Sequence, residues 1–331
     1  MISDKVAEEA LDKLSDTHQR LLAEIRKAVI GQDEVIEQLL ISLLARGHCL
    51  LTGIPGLGKT LLVKTLANCL TLGFKRIQFT PDLMPADVVG SEVVDEDQAT
   101  GKLSFRFVAG PIFSQVVLAD EINRTPPKTQ AALLEAMEER QVTVAGKTRP
   151  LESPFFVLAT QNPIELEGTY PLPEAQLDRF LLNPVIQYLP EAEEIRMVGD
   201  TTSSDRPLPE AVLSGEEIEK LQILTRQVPA PENVLSYAVR LAAASRPNLD
   251  GCDPWLSARI KWGAGSRGSQ ALVLAAKARA LLQGRPNASC EDVKTLAISA
   301  LRHRVVPSFL AESEGLSSDD LIQQLLDRVA P

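Results

Sequence analysis

Residues Gly53-Ile54-Pro55-Gly56-Leu57-Gly58-Lys59-Thr60 spell G-x-x-x-x-G-K-[ST], the pattern of a loop that wraps nucleotide phosphates. The apolar run His48-Cys49-Leu50-Leu51-Thr52 precedes it, and Leu61 to Leu70 after it reads as a helix. Strand, glycine-rich turn and helix N-terminus together form an anion site whose backbone N–H groups face the phosphates. In that geometry Lys59 reaches the β- and γ-phosphates, and the Thr60 hydroxyl helps to hold Mg²⁺. A Gly/Lys-rich turn that matched by chance would lack the flanking strand and helix. Gly53 to Thr60, with Leu61 behind them, are therefore the expected nucleotide-binding residues.

The 331 residues are enough for two domains. With 44% hydrophobic and 24% charged residues, the composition is that of an ordinary soluble globular protein. Against 34 basic residues stand 44 acidic ones, a net charge of −10, which disfavours a chain whose main task is to coat nucleic acid. Cys49, Cys69, Cys252 and Cys290 are scattered without a C-x-x-C pair and read as reduced, buried thiols of a cytoplasmic protein. Met1 to Ala10 is polar and acidic, unlike a secretory leader, and no stretch approaches the roughly 20 apolar residues of a membrane span.

Working outward from the loop, strand-like runs alternate with helical ones. The strands are expected at His48–Thr52, Lys75–Thr80, Val116–Asp120, Phe155–Thr160 and Leu182–Leu189, with helices such as Leu61–Leu70 and Lys128–Glu139 between them. Such alternation predicts a five-stranded parallel sheet covered on both faces. Two helices precede it, one with apolar residues from Val6 to Ile25 and one over Val35–Leu44. Hairpins are expected around Val94–Phe107, turning near Gly101, and around Val142–Leu151, turning at Ala145-Gly146-Lys147. From Gly215 onward the periodicity is helical throughout, over Ile218–Thr225, Val234–Ala244, Ser269–Leu282, Cys290–Arg302 and Leu316–Val329. The expected organisation is an α/β core over 1–190, a linker over 191–214 and an all-helical domain over 215–331, Asp200–Pro209 being the most loop-like part of the linker.

Binding becomes hydrolysis only with a metal-orienting carboxylate and a group that positions water. Val116-Val117-Leu118-Ala119-Asp120-Glu121 offers both: an apolar strand ends in two carboxylates where the sheet edge meets the phosphates. Asp120 is the candidate for Mg²⁺, through its water shell, and Glu121 the candidate base. Phe155 to Asn162 is another apolar strand ending in an amide, and Asn162 could hydrogen-bond the γ-phosphate or the attacking water, although an Asn after a strand is more often a turn residue. His18, His48 and His303 are too dispersed to suggest a metal site. Leu133–Glu139 reads as an amphipathic helix with a solvated acidic face, and Trp255 and Trp262 as packing residues.

The order phosphate loop, Asp120-Glu121, Asn162, then Leu177-Asp178-Arg179-Phe180 resembles an AAA+ ATPase. More narrowly, Asp120-Glu121-Ile122-Asn123-Arg124-Thr125, Leu133-Leu134-Glu135-Ala136-Met137-Glu138-Glu139, Ala159-Thr160-Gln161-Asn162-Pro163 and Leu172–Phe180 resemble the MoxR family, over about Ile30 to Val306. The resemblance implies that Arg179 is an arginine finger for the nucleotide of a neighbouring subunit, with Arg124 a second candidate for an inter-subunit contact. It implies that Arg267 is the sensor-2 arginine at the start of a lid helix, completing the chain's own site. Ser266 and Gly268 stand where the family usually has proline and alanine, which leaves the helix entry open. Val29-Ile30-Gly31-Gln32 resembles the segment beside the adenine, so Ile30, Gly31 and Gln32 join the expected binding residues. The hairpins resemble inserts that face the pore of a ring.

The function so implied is a chaperone-like, Mg²⁺-dependent ATPase in a hexameric ring, acting on a client protein complex by maturation, activation or metal-cofactor insertion, with a von Willebrand factor A domain protein as partner. Two alternatives stay open: a nucleic-acid motor or loader, for which Lys147 and Arg149 of the second hairpin speak, and a metal-chelatase motor subunit. A scaffold that binds ATP without turning it over is disfavoured by the intact Lys59, Thr60, Asp120, Glu121 and Asn162.

Overall fold

The computed structural model describes residues 4–96, 103–162, 168–202, 208–247 and 253–331. In chain order the core comprises α1 (Asp4–Arg26), α2 (Asp33–Leu44), β1 (Cys49–Thr52), α3 (Lys59–Cys69), β2 (Phe74–Gln78), α4 (Pro85–Val89), β3 (Gly90–Glu96), β4 (Leu103–Ala109), β5 (Val116–Asp120), α5 (Pro127–Glu139), β6 (Gln141–Val144), β7 (Lys147–Pro150), β8 (Phe156–Gln161) and α6 (Glu174–Leu177). Then follow α7 (Glu191–Thr202), α8 (Gly215–Gln227), α9 (Glu232–Ala244), α10 (Pro254–Arg259), β9 (Ile260–Trp262), α11 (Ser266–Leu282), α12 (Cys290–Leu301), β10 (Val306–Pro307), α13 (Phe309–Ser313) and α14 (Ser318–Arg328).

The central sheet is parallel, in the order β1-β8-β5-β2. The fifth strand expected at Leu182–Leu189 is shorter than its apolar run suggests: it pairs beside β1 only through the bridges Cys49–Leu182 and Thr52–Val185. Leu50 N–H donates to Leu182 O, Thr52 N–H to Pro184 O, and Ile186 N–H to Thr52 O. Pro184 has no N–H to donate, so the ladder loses a rung in its middle.

Strand side chains alternate between two faces. Cys49, Leu51, Val116, Leu118, Phe156 and Leu158 pack with α1, α2, α3 and the helices beyond residue 215, whereas Leu50, Val117, Ala119, Val157 and Ala159 pack with Leu133, Leu134 and Met137 of α5. The continuity of the first core into the C-terminal helices fixes the two parts against each other. The segment expected as linker carries α7, with no buried residue. The helical domain also contains a short antiparallel ribbon, β9 with β10.

Both expected hairpins form, β3 with β4 and β6 with β7, the latter through Ala145 (φ 50°) and Gly146 (φ 76°) as a two-residue turn. The Gly101 turn, Pro163, much of Asp200–Pro209 and Cys252 lie outside the described residues. Cys49 and Cys69 are buried and Cys290 is half-buried. Trp255 packs under the guanidiniums of Arg259 and Arg328, but Trp262 is 64% exposed and does not serve as packing. No helix among the described residues is long and apolar enough to cross a membrane.

Candidate functional site

The sheet register brings the phosphate loop and the strand-end residues to one edge. Thr52 pairs with Gln161, Gly53 N–H donates to Gln161 O at 3.3 Å, and β8 in turn pairs with β5, whose last residue is Asp120. Asn162 follows Gln161 and is buried. In the loop, Gly56 (φ 87°) and Gly58 (φ 73°) adopt left-handed conformations with open space where a side chain would be, leaving the backbone free to approach phosphates. Lys59 starts α3 and its Nζ donates to Gly53 O at 2.7 Å. Burial pushes its pKa down, while Asp120 and Glu121 oppose that shift. Leu61, on the first turn of α3, is exposed.

The carboxylates are held by a residue with no role expected from its motif. Thr160 Oγ1 donates to Asp120 Oδ1 at 2.7 Å and accepts the Glu121 N–H at 2.8 Å. Its signal was a polar side chain inside an otherwise apolar strand. Glu121 is in the left-handed region (φ 58°), unusual for a residue with a Cβ, and the Thr160 contact fixes that turn. Its Oε2 accepts from Gln78 Nε2 at 2.7 Å and from Arg124 Nη1 at 2.9 Å. Arg124, expected as an inter-subunit contact, therefore reaches the carboxylate of its own chain. Arg76 contacts Asp120 Oδ2 through Nη2 at 2.6 Å and Nε at 3.0 Å. A glycine cradle, a half-buried ammonium, the Thr60 hydroxyl and two adjacent carboxylates suit a triphosphate carrying a divalent cation, with Thr60 and Asp120 as the residues that would hold the ion.

Beside this edge is a cavity of about 450 Å³ lined by Gly31, Gln32, Val35, Tyr188, Ile298 and Arg302, among others. Gln32 Nε2 donates to Gln187 O at 3.2 Å, and Gly31 (φ 72°) lies so close to Glu193 that a Cβ would come within 2.0 Å of its Oε2. Of the expected adenine segment, Ile30 to Gln32, Gly31 and Gln32 line this cavity, which the lid also lines through Thr295, Ile298 and Ser299 of α12. Arg302 closes it, pairing with Asp319 at 2.6 Å.

The two other arginines are elsewhere. Arg179 Nη2 lies 3.0 Å from Glu138 Oε2, and Arg267 Nη2 lies 2.6 Å from Glu138 Oε1. Both line a separate cavity of about 210 Å³ with Arg46, Gly47 and His48. His48 precedes β1, and the phosphate loop follows it. At roughly 3.3 Å per residue, the four residues of β1 set the two sites about 13 Å apart along the strand. Arg267, expected to complete its own chain's site, is therefore at the opposite sheet edge from its own Lys59. The helix entry is intact: α11 begins at Ser266, and Gly268 is needed because a Cβ there would lie 2.8 Å from that of Ala264. Glu138, read from the sequence as part of a solvated acidic face, instead joins the two arginines.

Arg179 is fixed by the lid. Asp178 pairs with Arg304 at 2.6 Å rather than with Arg179, and Arg304 also donates to the carbonyls of Asp178 and Phe180. His303 Nε2 lies 3.0 Å from Phe180 O, and burial holds its pKa well below the ordinary value. His48 accepts the Val157 N–H at Nδ1, so its Nε2 carries the proton that bonds Met137 O, and burial pushes its pKa down to about 4. Neither takes part in a metal cluster, of which there is none among the described residues. In the hairpins, Lys147 and Arg149 lie 3.3 and 3.6 Å from Glu92, and Arg149 stacks on Phe107.

Residues 48–182 match the model of the ATPase family associated with various cellular activities, and residues 255–325 that of the AAA lid domain. The chain is 39% identical to the chaperone MoxR1 of Mycobacterium tuberculosis, over 95% of this chain and 82% of that protein. It is 33% identical to the protein MoxR of Paracoccus denitrificans, over 95% and 96% of the two chains. A crystal structure described as a candidate ATPase from Cytophaga hutchinsonii superposes with a TM-score of 0.91 at 38% identity, covering 100% of this chain and 99% of that one.

Proposed function

Because this chain belongs to the MoxR family of AAA+ ATPases, we propose that it hydrolyses ATP to ADP and phosphate with Mg²⁺, at sites that two copies share in a closed hexameric ring. The observation that carries this reading is the separation of the two halves. Lys59, Thr60, Asp120, Glu121 and Asn162 gather at one sheet edge, while Arg179 and Arg267 converge on Glu138 at the other. Arginines set about 13 Å along β1 from their own phosphate loop can meet the phosphates of a neighbour, and closed cyclic symmetry satisfies every copy at once. Both arginines are thereby assigned to the neighbour's nucleotide, which revises the role expected for Arg267. Gly53 to Leu61 hold the phosphates, Ile30 to Gln32 lie along the base, Glu121 orients and deprotonates water, and Asn162 reaches the γ-phosphate.

The ring acts on other proteins. A relative named as a chaperone supports that reading, and the family resemblance extends it to maturation or metal-cofactor insertion in a client complex, with a von Willebrand factor A domain partner in the cytoplasm. The basic residues that favoured nucleic acid, Lys147 and Arg149, are both engaged by Glu92.

Subunit mixing tests the shared site. Lys59→Ala and Arg179→Ala chains should each be inactive alone. Mixed one to one, they should regain turnover, since some interfaces pair an intact phosphate loop with an intact arginine. Mixtures that stay as inactive as either parent, with mixed rings demonstrated, would refute the assignment.

A further inference from the structure

We propose that Glu138 is a positioning residue that yokes Arg179 and Arg267 into a single two-guanidinium clamp for the phosphates bound by a neighbouring copy; this rests on the shared-site reading above. Each carboxylate oxygen takes one guanidinium, Arg267 Nη2 at 2.6 Å and Arg179 Nη2 at 3.0 Å. The three side chains come from three separate elements: Glu138 from the end of α5, Arg179 from the turn after α6, and Arg267 from the first turn of the lid helix α11. Two guanidiniums this close repel each other, and the carboxylate between them is what makes the approach favourable.

The neighbouring charges leave no substitute for it. Asp178 is committed to Arg304, and the other charged residues lining the cavity are Arg46, Arg226 and Arg304. Two arginines against one carboxylate leave a net positive site, which further anionic charge would neutralise. Each arginine contacts Glu138 through one terminal nitrogen, so N–H groups remain for an incoming phosphate. The Nε of Arg179 is buried without a hydrogen-bond partner in the subunit. At 31%, 46% and 38% exposure, the side chains of Arg179, Arg267 and Glu138 lie at the mouth of the cavity, where a second copy can reach them. Glu138 also ties the lid to the core at this end, so the clamp keeps its shape only while the two parts hold their relative placement.

Glu138→Gln keeps the shape and removes the charge at a partly exposed position that the fold tolerates; Glu138→Asp keeps the charge on a shorter arm. Steady-state turnover, ATP binding by the isolated subunit, ring assembly and thermal midpoint are measured together. The expected result for Glu138→Gln is a fall in kcat of about 10- to 100-fold, the scale on which small misplacements of a reacting group act. ATP affinity of the isolated subunit should stay at its parental value and the thermal midpoint should fall by no more than about 4 °C, and Glu138→Asp should recover part of the rate. In an Arg267→Ala background, Glu138→Gln should cost less than about twofold more, because the yoke has lost one of its two loads. A merely structural role would not produce that dependence. Turnover of Glu138→Gln at the parental rate, or a cost that multiplies in full with that of Arg267→Ala, would overturn the proposal. Arg179→Ala run alongside separates the causes: if it is inactive while Glu138→Gln is normal, the yoke alone is wrong. If Arg179→Ala itself turns over normally, the shared-site reading fails and the yoke with it.

Discussion

Replacing Arg304 tests how firmly the lid holds the segment that carries Arg179. The side chain is 3% exposed, and all five of its N–H groups are used. Nε donates to Asp178 Oδ1 at 2.6 Å, Nη1 to Leu181 O at 3.2 Å and to Ala300 O, and Nη2 to Asp178 O at 3.0 Å and Phe180 O at 2.7 Å. Arg304→Met leaves the Asp178 carboxylate unpaired and removes a donor from four carbonyls. Breaking a buried pair in this way costs about 3–5 kcal/mol, and the lower end applies because the partly exposed Asp178 regains water. About 3 kcal/mol corresponds to a thermal midpoint lower by roughly 4 °C for a protein of 331 residues. Arg304→Lys keeps the charge but has three donors and no planar fork, so at least two hydrogen bonds go, for about 2 kcal/mol at roughly 1 kcal/mol each. The assay is thermal unfolding of the full chain by circular dichroism at one protein concentration, with turnover measured well below the midpoint. The order parent, Lys, Met should hold in both readouts, since Asp178 O and Phe180 O flank Arg179. An Arg304→Met chain that melts within about 1 °C of the parent would refute the reasoning.

Two further outcomes follow from the site and the core. Glu121→Gln removes the base while leaving the Thr160 contact to its backbone, so turnover should fall by about 10²–10⁴ with ATP retained and the ring stabilised; a parental rate by phosphate release would contradict the role of Glu121. His48, held neutral with its pKa pushed down from 6.5 to about 4, contributes stability that is complete above pH 6.5 and is lost as pH falls toward 4, by up to about 3 kcal/mol. Unfolding across that window should show the loss, and His48→Gln, uncharged throughout, should flatten that part of the curve; an identical pH dependence in the two chains would remove His48 as its cause.

The sequence made the fold and one half of the site legible because both rest on short-range patterns. An apolar strand, a glycine loop and a helix start identify a phosphate site within a dozen residues, and Asp120-Glu121 announces itself at a strand end. What it did not show were side chains whose partners are remote in the chain. Thr160 is one threonine in an apolar run until the sheet places it beside Asp120. Glu138 is one of several acidic residues on a helix until Arg267, 129 positions away, reaches it. The shortened fifth strand was in principle readable, since Pro184 stands in the middle of its run, but hydrophobicity alone does not register a missing N–H.

Arg267 illustrates the limit of carrying a role over from a motif. Its string identifies a lid arginine, but which nucleotide that arginine meets depends on where the lid sits, and that is decided by the packing of α11 against α2 and of the end of α12 against the strap of residues 178–186 after α6. The last turns of α12 make the point physically. Thr295, Ile298, Ser299 and Arg302 line the cavity beside Gly31 and Gln32. Arg304, which donates to Ala300 O of α12, also donates to the carbonyls of Asp178 and Leu181, on either side of Arg179. Ser299 O accepts the N–H of Asn183 in the same strap, and the Asn183 side chain accepts from Thr52 at the end of β1, one residue before the phosphate loop. The helix end that lines this cavity is thus hydrogen-bonded to the strap that carries Arg179, with Arg302 also donating to Asn183 O. Through that helix end and residues 179–183, the phosphate loop of this chain is joined to the arginine that, on the shared-site reading, it would offer to a neighbour.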